Sequence, residues 1–86
     1  MNLVSIGYDN YVSVGRLVAV LQVGSSPVRR LIRESRDRGV LLDATTGKKT
    51  RSVIITDSGH VLLSAILPET VAERCRQARQ GEAADE

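Results

Sequence analysis

The sequence predicts an α+β domain: mostly antiparallel strands, one helix in the middle and one at the end. Three observations predict it. Short runs rich in Val, Leu and Ile are bounded by turn residues. A Ser-Ser-Pro segment leads into apolar residues at helical spacing. A Pro-Glu pair at 68–69 then opens a second helical stretch.

Leu3 to Gly7 reads as a first strand, closed by the turn-prone Gly7-Tyr8-Asp9-Asn10. Val12 and Val14 extend the pattern up to Gly15, where a bulge or bend is expected. Arg16 to Leu21 reads as the next strand. Ser25-Ser26-Pro27 starts the central helix, with Ser26 as the capping residue and Pro27 suited to the first turn, where its missing N–H costs nothing. Val28, Leu31, Ile32 and Ser35 mark the inward face, and Gly39 ends the helix in the left-handed conformation. Val40 to Ala44 and Arg51 to Thr56 read as strands joined by a Thr45–Thr50 loop, which is taken as a hairpin tip. Asp57-Ser58-Gly59 turns the chain into a strand from His60 to Leu67. The last helix opens at Pro68, with Val71, Ala72, Cys75 and Ala78 along one side. A single domain is expected over residues 1–79, with residues 80–86 an acidic, disordered tail.

A chain of 86 residues buries only roughly 60% of the surface its unfolded form exposes. Its core has no Phe or Trp and only two Tyr, so it rests on aliphatic side chains. A domain this small and aromatic-poor is expected to bury further surface against copies of itself. Cys75 is the only cysteine, which excludes an internal disulfide and a cysteine-based zinc site. The start lacks a signal-peptide pattern, and no apolar run approaches the ~18 residues of a membrane span. The expected location is the cytoplasm, with no membrane association.

Charge is unevenly spread. Eight of the 12 Lys and Arg residues fall between Arg29 and Arg51, against three acids, so that block carries +5. The remainder holds four basic residues and seven acids, or −3. Such a block is the electrostatic footprint of a polyanion binder. Within its helical half, Arg30–Glu34, Glu34–Arg38 and Arg33–Asp37 are i,i+4 pairs of opposite sign, so a solvated face and a phosphate-contacting face both fit. Lys48, Lys49 and Arg51 have no acid nearer than Asp43. Adjacent like charges repel, and a phosphate backbone would supply the missing countercharge. Arg16 stands alone beside Gly15; an acid of its own chain or of a neighbouring subunit could pair with it.

Catalytic constellations fail. Asp57, Ser58 and His60 have triad residue types, but a triad must converge in space and these lie within one turn. His60 has no second His or Cys for a metal. Gly47-Lys48-Lys49-Thr50 lacks the earlier Gly of a P-loop and precedes a strand. No enzyme activity, cofactor, metal or small-molecule substrate is therefore expected. Two Tyr offer little for stacking single-stranded bases, and no helix-turn-helix or zinc-finger spacing occurs. Contact with the backbone of duplex DNA fits best. An RNA-binding module, or a scaffold whose basic block meets an acidic protein, remains the alternative.

Several segments resemble a known family: Ile6-Gly7-Tyr8, Val12-Ser13 with Arg16, Ser26-Pro27-Val28-Arg29-Arg30, Asp43-Ala44-Thr45, Gly47-Lys48-Lys49-Thr50-Arg51, Asp57-Ser58-Gly59-His60-Val61 and Pro68-Glu69-Thr70-Val71-Ala72. Together, over Leu3 to Arg74, they resemble the RemA (extracellular matrix regulatory protein A) family. The resemblance implies a non-enzymatic, ring-shaped homo-oligomer that binds double-stranded DNA and activates genes for biofilm matrix and osmoprotection. It also implies that Arg16, Lys48 and Lys49 contact DNA, with Arg51 and Arg30 expected in support. Lys-Lys stands here where the family commonly has Arg-Arg. Lysine keeps the charge but loses the flat, bidentate fork, so phosphate contact is retained and base-edge reading is weakened.

Overall fold

The computed structural model describes the backbone of residues 2–84 and the side chains of residues 2–79. Strands β1 (Leu3–Gly7) and β2 (Asn10–Ser13) form an antiparallel hairpin. A single 3-10 turn, Val14–Arg16, leads into β3 (Leu17–Gln22). Helix α1 (Ser26–Asp37) follows, then β4 (Leu41–Asp43), β5 (Ser52–Thr56), β6 (Val61–Ser64) and helix α2 (Pro68–Ala84). The small α+β fold class is as the sequence predicts.

The four later strands make one sheet in the order β3-β5-β6-β4. β3–β5 and β5–β6 are antiparallel, whereas β4–β6 is parallel. The expected hairpin between β4 and β5 is therefore absent, because β6 lies between them. The Thr45–Thr50 segment arches over the end of β6 instead. The true hairpin is β5–β6, closed by Thr56 to His60, with the Thr56 N–H donating to the His60 carbonyl at 3.1 Å.

Alternation along the central strands sends side chains to two separate apolar layers. On one face Val53, Val61 and Leu63 meet Val28, Leu31 and Ile32 of α1. On the other, Ile54 packs with Ile6 and Val12 of the hairpin, with Ala44 and with Val71 of α2. Ser35, on the inward face of α1, is fully buried.

Helix α1 starts one residue earlier than its sequence signal. Ser25, not Ser26, is the cap, and its Oγ accepts from the Val28 N–H at 3.3 Å. At the other end Gly39 has φ +75°. Its N–H donates to the Arg36 carbonyl (3.1 Å) and the Val40 N–H to the Ser35 carbonyl (3.0 Å), the paired bonds of a Schellman ending. The expected bend at Gly15 is the 3-10 turn. The expected strand to Leu67 stops at Ser64, and α2 continues past Arg79 to Ala84, so the chain does not leave helical conformation at Gln80. Residues 85–86 of the expected tail lie outside the described residues. No described helix is long and apolar enough to cross a membrane.

The hairpin layer is tied to the sheet by one buried hydroxyl. Ser64 Oγ donates to the Ile6 carbonyl at 2.8 Å and accepts from the Ile66 N–H at 3.0 Å. Beside it Gly7 has φ +102°, and a Cβ there would meet the Ile66 side chain at 3.1 Å. Ser64→Ala leaves a buried carbonyl and an amide without their partner, which costs about 1–3 kcal/mol. Thermal unfolding should show this as a lowered Tm with unchanged secondary structure at low temperature.

Candidate nucleic-acid interface

The Lys48–Lys49 loop is held rigid at its base. The Ala44 N–H donates to the Leu63 carbonyl (2.9 Å) and the Arg51 N–H to the Ser64 carbonyl (2.8 Å), so both ends are fastened to β6. Asp43 Oδ1 accepts from the Thr45 N–H (2.9 Å) and from Thr45 Oγ1 (2.6 Å). These bonds hold the Asp43 carboxyl below the ordinary aspartate value, with the nearby Arg36 adding a smaller contribution in the same direction. Thr45 is buried. Its carbonyl accepts from the Lys48 N–H at 3.0 Å across Thr46 (φ 54°) and Gly47 (φ 79°), a type I′ turn.

Beyond that turn Lys48, Lys49 and Arg51 are exposed, and their side chains form no hydrogen bond or ion pair among the described residues. Three cationic groups thus stand on a fastened arch with only solvent as countercharge.

Arg30 approaches the same end from the other face. Gln22, the last residue of β3, pairs with Ser52, the first of β5. Helix α1 begins four residues later, so its first two turns, with Arg29 and Arg30, belong to the end of the sheet where the lysine loop sits. Arg30 is exposed and has no partner among the described residues. The i,i+4 pairs expected along α1 do not form: the described ion pairs are Arg16–Asp57 and Arg76–Glu73, and Glu34 and Asp37 engage neither Arg30, Arg33 nor Arg38.

Arg16 lies at the opposite end. Leu17 pairs with Thr56, and the Asp57 N–H donates to the Arg16 carbonyl at 2.9 Å. Along β5, Arg51 and Asp57 are six residues apart, which at ~3.3 Å per residue is about 20 Å. One protomer therefore does not bring Arg16 together with Lys48 and Lys49. Arg16 is also not free. Its Nε donates to Asp57 Oδ1 at 2.7 Å, with both side chains about half exposed or more (63% and 49%). The pair borders an apolar cavity of about 310 Å³ lined in part by Val12, Leu42 and Leu62.

The same pairing disposes of the triad-like turn. His60 Nδ1 is 2.8 Å from Ser58 Oγ, but the Asp57 carboxylate engages Arg16, and Thr56 Oγ1 is the other neighbour of Ser58 at 2.9 Å. Among the described residues no carboxylate orients the imidazole, and the hydroxyl is exposed in a hairpin turn.

Residues 3–75 match the RemA-like family, described as "Extracellular matrix regulatory protein A-like". The chain belongs to the RemA-like family. Among its relatives, a "Putative regulatory protein" of Clostridium botulinum is 58% identical over 74 residues, covering 86% of this chain and 83% of the relative. One of the same name from Synechococcus sp. is 56% identical over 79 residues, covering 92% and 89%. The match spans all six strands, α1 and the first turns of α2, so it includes the lysine loop, Arg16 and Arg30.

Asp43 gives a test of the loop that is independent of any ligand. Its carboxyl titrates below the unfolded value, so the bonds to Thr45 are complete above the unfolded pKa and are lost as pH falls through the folded one. Amide exchange at Thr45 and Lys48, corrected for intrinsic pH dependence, should accelerate in that acidic window. Asp43→Ala should show the faster exchange already at neutral pH and lose the acid transition.

Proposed function

We propose that this chain is a non-enzymatic transcription regulator of the cytoplasm that binds double-stranded DNA and activates genes for extracellular matrix production. The observation that carries the reading is the unpaired Lys48-Lys49-Arg51 cluster on an arch fastened at both ends. Fixing like charges together in the free protein is unfavourable, and a phosphate backbone with release of its counterions offsets that cost. Arg30, near the start of α1, adds a further cation at the same end. Family membership supports regulation, and the family's description supports matrix genes as the target.

Arg16 engages DNA separately from the lysine loop, since about 20 Å of strand divides them. A single phosphate cannot touch both. Arg16 meets a different stretch of backbone, on the same duplex or through a neighbouring subunit. Each protomer then offers a few contacts at each end, and repetition around a ring raises the affinity through avidity. Val18 on the β3 edge and Leu42 on the β4 edge, exposed at 65% and 51%, support assembly of copies at the two open edges of the sheet. Specificity then comes largely from the spacing of repeated sites and the ease of bending the DNA.

Duplex binding should weaken steeply with salt. The Lys48→Ala, Lys49→Ala double variant should bind more weakly and reduce the slope of log affinity against log salt by roughly 2, about 0.9 per lost phosphate contact. Equal affinity and slope for the variant would refute the assignment, and successful competition by structured RNA would favour an RNA-binding role. Light scattering at micromolar concentration should give a mass several times that of the 9.3 kDa chain. A monomer would remove the ring.

A further inference from the structure

Three non-glycine residues among those described adopt the left-handed conformation: Tyr8 (φ 54°), Asp9 (φ 65°) and Thr46 (φ 54°). All three belong to type I′ turns at the same end of the domain. Thr46 is in the lysine loop. Tyr8 and Asp9 are the central residues of the β1–β2 turn, whose flanking Gly7 and Asn10 are paired across the hairpin. Such turns favour Asn and Gly at both central positions. Asp tolerates this backbone, but a large aromatic ring there is unfavourable.

Nothing inside the domain rewards Tyr8 for that position. The residue is 51% exposed and belongs to neither apolar layer, and its side chain makes no hydrogen bond or ring contact among the described residues. The turn that carries it is nevertheless rigid. Asn10 Nδ2 donates to the Gly7 carbonyl (3.0 Å) and lies 3.2 Å from the Tyr8 carbonyl and 3.4 Å from that of Ala44, the residue from which the lysine arch springs. Gly7 is packed against Ile66. An unfavourable backbone that is firmly held and displays an otherwise unused side chain is the pattern found at binding sites.

We infer that Tyr8 is a second contact of the DNA site, on a turn joined by the Asn10–Ala44 contact to the base of the arch that carries Lys48 and Lys49. Its phenol donates a hydrogen bond to a phosphate oxygen and its ring lies against the adjoining deoxyribose, the kind of contact that fixes a protein's position on a duplex without reading bases. This inference rests on the DNA-binding reading of the lysine loop and adds a neutral contact to a site otherwise built from charge. Tyr11 serves as the contrast. It is 58% exposed but lies within β2, paired with Ser5, in ordinary strand conformation.

The test compares wild type, Tyr8→Phe, Tyr8→Asn, Tyr11→Phe and the double lysine variant, each by thermal unfolding and by duplex binding over a salt series. Tyr8→Asn relieves the turn, so its Tm should rise while its affinity falls about tenfold or more. Tyr8→Phe should lose roughly tenfold, the lower end of the worth of one hydrogen bond to a charged acceptor. In both, the salt slope should match wild type, because no charge is lost, whereas the double lysine variant lowers the slope. Tyr11→Phe should bind as wild type does. If Tyr8→Asn and Tyr8→Phe bind within twofold of wild type while the lysine variant is impaired, Tyr8 is no contact and the lysine assignment stands. If wild type shows no salt-dependent binding, both readings fall together.

Discussion

One buried hydroxyl sits where the layers of this domain and its cationic loop meet. Ser64 Oγ bridges the Ile6 carbonyl and the Ile66 N–H, joining the hairpin to the sheet and to the approach of α2. Its own backbone carbonyl accepts from the Arg51 N–H at the exit of the lysine arch. Serine is the smallest side chain that can do this in a site with no exposed surface. An apolar replacement would leave two polar groups dry, at the full cost of desolvation. The rigidity of the exposed loop therefore begins in the core. Lys48 and Lys49 can be displayed without partners because the chain on either side of them is fastened to the same strand.

The charges of the molecule are organised by the fold and not by their sequence neighbours. Arg16 finds its partner 41 positions away, because the register of β3 against β5 sets it beside Asp57. Glu34 and Asp37, at ideal spacing for helix pairs, leave the arginines of α1 unpaired. Exposed pairs of this kind are worth only a few tenths of a kcal/mol in any case. The consequence is a reversal. The helical half of the basic block, whose acids are close in sequence, is as available to a polyanion as the loop half. Arg16, isolated in sequence, must exchange or share its carboxylate to bind one.

Elements whose signals are local were legible in the sequence. The start of α1 was readable to within one residue because both Ser25 and Ser26 can cap, and only geometry chooses between them. Gly39 was readable because few other residues accept its backbone. Strand order was not. Thr46-Gly47 forms a type I′ turn, the turn of short hairpins, and it lies between two strand-like runs. Yet the segment has room beyond the turn, from Lys48 to Thr50, to carry the chain across β6. Nothing in the composition of β4, β5 or β6 distinguishes which two are neighbours. The position of Lys48 and Lys49 on an exposed loop was readable, whereas Arg51 was read as the first residue of a strand that in fact begins at Ser52; the separation of these cations from Arg16 depends on strand register and was not readable.

That separation constrains how the domain can work. Cations gathered at one point would give a protomer a single strong contact and little geometric information. Here the lysine arch, Arg51 and the first turn of α1 stand at one end of the sheet, and the Arg16–Asp57 pair at the other. A duplex touching both must run in a defined direction across the domain or pass between copies. The sheet ends in two unpaired edges, and Val18 and Leu42 expose apolar surface there. Two different edges on one subunit favour a head-to-tail contact, which closes into a ring if the rotation per subunit permits and otherwise continues as a filament. In either assembly the cationic ends repeat at a fixed interval. On the proposed DNA-binding reading, such an assembly would need no base-reading helix to prefer one stretch of DNA: the interval itself, set by the width of a protomer, would select the DNA whose phosphates can follow it.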